Sequence, residues 1–110
     1  MKKPNTDTRK YLKLYKQLKN VIGGYDADTP EEMEKAKAEH NKKYEQIERK
    51  LGELKEKKLS EPLRESKQHL EKAIKSIQEF DRSGSEFHGQ LTQEHLKAAS
   101  DALRRTENGS

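Results

Sequence analysis

At 110 residues, with 40% charged and 28% hydrophobic side chains and a mean hydropathy of −1.37, the chain has room for one domain and borders on compositions too polar to fold. Cysteine is absent, which excludes a disulfide framework and a thiolate metal site, and no apolar run exceeds two residues, as in Val21-Ile22, so no membrane span or signal-type apolar region lies within it. The net charge of +4 is unevenly held: residues 1–24 carry seven Lys/Arg against the single acid Asp7, while residues 25–110 carry the other 17 bases and 19 acids.

Apolar residues recur at three- and four-residue intervals, the spacing of amphipathic helices, and Pro, Gly and capping residues cut the chain into four of them. The first is expected over about 7–22, with Thr6 or Asp7 as cap, an apolar stripe of Tyr11, Leu14, Tyr15, Leu18, Val21 and Ile22, and a stop at Gly23-Gly24. The second opens on Thr29-Pro30-Glu31-Glu32, which offers a hydroxyl cap, Pro where no N–H is missed, and Glu to complete a capping box. It is expected to run to about residue 58, with His40, Tyr44, Ile47, Leu51 and Leu54 at heptad spacing and Gly52 marking a bend or a close approach. Leu59-Ser60-Glu61-Pro62 ends that helix and starts a third over about 62–82, carrying Leu63, Leu70, Ala73, Ile74, Ile77 and Phe80. So short a link implies an antiparallel hairpin. After the turn Asp81-Arg82-Ser83-Gly84-Ser85 a last helix begins at residue 86 or at Thr92 and ends near 106, with Ala98, Ala99 and Ala102 on a face that can pack closely. The expected fold is therefore a single all-α domain, an up-and-down three/four-helix bundle built on the Pro30–Arg82 hairpin, with coiled-coil spacing along its seam. A core this small implies marginal stability, or support from a partner or self-association.

Chemistry-bearing residues are sparse. His40, His69, His88 and His95 include no i,i+4 pair, and His88 and His95 stand about 10.5 Å apart along a common helix, too far to share a metal. Neither a Gly-x-Ser-x-Gly elbow nor a glycine-rich phosphate loop occurs, Gly23-Gly24 being followed by Tyr25-Asp26. No catalytic residue, metal, cofactor or small-molecule substrate is expected, and the chain reads as a non-enzyme.

The basic first helix makes the functional case. Arg9, Lys13 and Lys16 share a face, Lys10 and Lys19 widen it, and Tyr11 and Tyr15 lie beside them. Such a surface suits an acidic protein, a nucleic acid whose bases stack on the tyrosines, or an anionic membrane. The acids Asp26, Asp28, Glu31, Glu32 and Glu34 that open the second helix offer a competing account, in which they neutralise the first helix internally. The leading expectation is a non-enzymatic interaction module with a protein partner or spacer role; the alternative is a small nucleic-acid-binding accessory protein. Location is cytoplasmic by default, extracytoplasmic if a leader has been removed.

The segment Leu59-Ser60-Glu61-Pro62-Leu63-Arg64-Glu65-Ser66-Lys67-Gln68-His69-Leu70-Glu71-Lys72-Ala73-Ile74, followed by a turn and an Ala-rich helix, resembles helical-bundle domains of uncharacterised Gram-positive surface lipoproteins. The likeness covers the second half of the chain, without a lipobox Cys, and implies an extracytoplasmic binding or spacer domain with no functional residue to carry over.

Overall fold

The computed structural model describes residues 6–22 and 27–108. Four helices account for nearly all of them: α1 (Thr6–Val21), α2 (Pro30–Glu53), α3 (Glu61–Ser83) and α4 (Glu86–Asn108), with a short 3₁₀ turn at Glu56–Lys58. They alternate in direction, since the start of α1 lies by the end of α2, Asn41 of α2 meets Gln78 of α3, and Ser66 of α3 meets Ala99 of α4. The fold is thus an all-α, up-and-down bundle, 51 × 23 × 19 Å in extent. No described helix is long and apolar enough to cross a membrane.

Caps set the helix starts. Thr29 is the N-cap of α2 and its hydroxyl accepts from Glu32 N–H at 3.1 Å, with Pro30 at the first position. Glu32 reaches back to the N–H of Asp28 at 2.9 Å, one residue earlier than a standard capping box. Thr6 and Asp7 are not caps, because α1 already includes both. Asp7 instead accepts the N–H of Lys55 at 3.0 Å, tying the start of α1 to the α2–α3 connection. The expected stop at Gly23-Gly24, the Tyr25-Asp26 pair and the cations Lys2 and Lys3 lie outside the described residues.

Three expectations need correction. α2 ends at Glu53, and Leu54 is extended at φ −71°, ψ 135°. Leu54 and Leu59 are both buried, so the connection turns away from the helix axis to fold two leucines into the end of the core, a gain that continuing the helix would forfeit. Gly52, one residue from the end of α2, is exposed and a Cβ there would meet nothing within 4 Å; it marks neither a bend nor a close approach. Finally, the densest packing joins α3 to α4, not α2 to α3. The reason is side-chain size: buried Ser66, Ala73 and Ser76 on α3 and Ala99 and Ala102 on α4 let the two backbones approach. Gly89 completes the seam, for a Cβ there would stand 3.1 Å from the ring of Phe80. Gly84 closes α3 at φ 71°, its N–H bonded to Phe80 O at 2.7 Å, the left-handed helix end that glycine adopts without strain. α4 begins at Glu86, directly after this turn, rather than at Thr92, which lies buried with its hydroxyl donating to His88 O at 2.7 Å.

Larger side chains fill the rest of the core. Tyr11, Leu14, Tyr15 and Leu18 of α1 pack with Tyr44, Ile47 and Leu51 of α2 and Leu63, Leu70, Ile74 and Ile77 of α3, and α4 contributes Ala99.

Candidate functional site

α1 and α2 lie side by side with their cations in register. Each side chain three or four residues on returns to the same face, so Lys10, Lys13, Leu14, Gln17 and Val21 of α1 form one wall, and Lys43, Gln46, Ile47 and Lys50 of α2 the other. Between them runs a groove made of two adjoining hollows of about 300 Å³ each that share Gln17 and Lys50. Buried Leu14, Ile47 and Leu54 form its apolar floor. Four lysines line it against two acids, Asp7 and Glu53, both at one end, and Asp7 is already engaged by the Lys55 amide. The hollow at the other end, around Lys43 and Lys50, has no acid on its walls.

This geometry limits the competing account of the charge at two of the first-helix lysines. Because the helices are antiparallel, Lys10 and Lys13 face Lys50 and Glu53 at the far end of α2. Glu34, the last of the opening acids, lies about 24 Å back along the α2 axis from Lys50 at 1.5 Å per residue, so Glu31, Glu32 and Glu34 do not neutralise Lys10 and Lys13.

The seven sequence-predicted residues separate into three groups. Lys10 and Lys13 line the groove. Arg9 and Lys16 are exposed on α1 outside it, and Lys19 stands over the ring of Tyr15 at 5.5 Å, a cation–π contact. Tyr11 and Tyr15 belong to the core, at 0% and 9% exposure, which corrects the expectation that they offer stacking faces for bases. They sit there because they fall on the apolar stripe and Tyr11 finds a partner for its hydroxyl.

That partner is Ser66. The one hydroxyl hydrogen of Ser66 goes to the carbonyl of Ala99 at 2.9 Å, so its oxygen accepts from Tyr11, 2.5 Å away. The chain Tyr11–Ser66–Ala99 bolts α1, α3 and α4 together through the interior. Burial holds the Tyr11 phenol well above its usual range, the Ser66 bond only partly offsetting this. Beside it Lys67, 5% exposed, pairs with Glu71 at 2.9 Å, so this buried cation is compensated within α3.

Lys43 and Lys50 were missed by sequence reasoning, although they stand seven residues apart with Gln46 and Ile47 between, a single helical face. Among the described residues no group of three or more His, Asp or Glu side chains is placed to hold a metal ion. Compared with protein-family models, curated proteins and solved structures, the chain finds no match.

Proposed function

We propose that this chain is a non-enzymatic interaction module that receives an acidic, amphipathic segment of a partner protein in the α1–α2 groove. The observation that carries this reading is the convergence of lysines from two helices over an apolar floor. A helix lying in such a groove places its apolar side chains on Leu14, Ile47 and Leu54 and its carboxylates beside Lys10, Lys13, Lys43 and Lys50. Charge complementarity then sets orientation and speeds encounter. A nucleic acid gains less from the same surface: phosphates have no use for the apolar floor, and the tyrosines that would stack on bases are in the core.

The test is a binding titration against three probes: a synthetic peptide with Leu at helical spacing and Glu between, generic duplex DNA, and phosphatidylserine vesicles. The peptide is expected to bind in a salt-sensitive manner, and Lys43→Gln with Lys50→Gln to weaken it about tenfold or more, each close contact between opposite charges contributing on the order of 1 kcal/mol or more. Gln keeps nearly the helix propensity of Lys, so the fold should persist. Failure of the peptide to bind, or equal binding by the variant, overturns the proposal. Duplex binding whose salt slope falls by about 0.9 per contact removed, on replacing Arg9, Lys13 and Lys16 by Gln, would favour the nucleic-acid alternative instead.

A further inference from the structure

Away from the groove, two imidazoles meet across the α3–α4 seam. The rings of His69 and His95 stack with centroids 6.1 Å apart and planes 28° from parallel. Both side chains are half-buried, and Nδ1 of His69 is buried with no hydrogen-bond partner. The pair sits one helical turn from the Ser66–Ala99 contact: His69 follows Ser66 by three residues and His95 precedes Ala99 by four. The seam at this height is thus held by two rings that gain from contact while neutral and repel when charged.

We propose that His69 and His95 form a pH-sensitive clasp, holding α4 against α3 when both rings are neutral and loosening it when they take up protons.

The surrounding charges favour this behaviour. From α3, Lys72 adds positive charge near His95, and Glu65, one turn before His69, is committed to Arg105 of α4. From α4, Glu94 acts on His95 in the opposite sense, and more weakly than burial, His69 or Lys72. α1 meets this part of α3 through Tyr11, neutral at any physiological pH, and through the Lys67–Glu71 pair, whose charges cancel. α2 meets α3 at Asn41 and Gln78, about two and a half turns further along. Burial, then His69, then Lys72 hold the His95 imidazole below its ordinary value of 6.5.

The sign follows from linkage. A histidine kept neutral in the fold contributes stability that is complete above its unfolded value, near 6.5, and is lost as pH falls below that value toward the folded one.

The experiment is a set of thermal melts of the full chain at pH 7.5, 6.5 and 5.5 and constant ionic strength, with amide hydrogen exchange at the two extremes. The parent's melting temperature is expected to fall by several degrees between pH 7.5 and 5.5, and His69→Gln or His95→Gln to remove most of that fall. His40→Gln and His88→Gln, at rings that contact Tyr44 and Phe87, should keep the parent's slope. Protection factors at pH 5.5 should drop in α4 around Leu96 to Ala102 more than in α2 around Tyr44 to Leu51. Should the Gln variants fail to fold, an NMR titration of the parent decides, with the His95 midpoint expected below the ordinary imidazole value of 6.5. A flat parent profile, a slope untouched by both replacements, protection lost evenly over α2 and α4, or a His95 midpoint at or above 6.5 would overturn the clasp.

Discussion

α3 and α4 meet along Ser66, Ala73, Ser76, Gly89, Ala99 and Ala102, while α1 meets α2 through Tyr11, Leu14, Leu18, Tyr44, Ile47 and Leu51. Small side chains bring backbones together and leave little between them, whereas large ones hold helices apart and leave a furrow where they do not fill the space. The second interface therefore carries the groove, and its rims carry the lysines. The first is a closed seam, crossed by a histidine pair, the Ser66–Ala99 contact and the Glu65–Arg105 ion pair. In this bundle the closely packed half is built to hold shape and the spread half offers a surface.

Breaking the core common to both halves should have the largest effect. Leu70 of α3 and Leu51 of α2 are each fully buried, so Leu→Ala at either should cost roughly 2 to 5 kcal/mol, measured by denaturant melts. A change of a few tenths at both would mean that the core has been wrongly placed.

The relay between the halves comes next. Ser66→Ala leaves the buried Tyr11 hydroxyl without an acceptor, and should cost about 1 to 3 kcal/mol. Tyr11→Phe removes the donor and leaves Ser66 bonded to Ala99, so it should cost less, about 1 kcal/mol. In a double-mutant cycle the two changes should be non-additive. Strict additivity would show that Tyr11 and Ser66 do not interact.

Among the described residues, two exposed glycines sharpen the contrast at smaller scale. Gly84 closes the α3–α4 turn at positive φ, and Gly84→Ala should destabilise by about 1 kcal/mol. Gly52 on α2 has ordinary φ and open space around its Cα, so Gly52→Ala should stabilise by about 0.5 kcal/mol, less than the full helix-interior difference because the helix ends one residue later. Effects of the same sign at both sites would contradict these assignments.

Much of this was legible in the sequence wherever the signal is local. Thr29-Pro30 starts α2, Pro62 lies in the first turn of α3, and Ala98, Ala99 and Ala102 announce close packing of α4. The end of α2 was not legible, because Leu54 continues the apolar spacing, while what favours leaving the helix is tertiary: the burial of Leu54 and Leu59 and the Asp7 carboxylate that accepts the Lys55 N–H. Nor was the fate of Tyr11, whose stripe position marks it as apolar while its hydroxyl partner comes from 55 residues away. The cations of α1 were visible as a cluster, but which of them face a groove depends on the antiparallel pairing that sets Lys10 and Lys13 beside Lys50. That is a tertiary fact, and it also removes the neighbouring acids as their partners.

Mapping of the acidic amphipathic peptide onto the ¹⁵N-labelled chain by NMR titration tests the proposed docking groove most directly. Amide shifts should concentrate at Lys10, Lys13, Gln17, Lys43, Ile47 and Lys50 and leave the α3–α4 seam around Ala73 and Ala102 unmoved. Shifts that centre on α3 and α4, or that spread evenly over every exposed lysine of the bundle, would contradict the account.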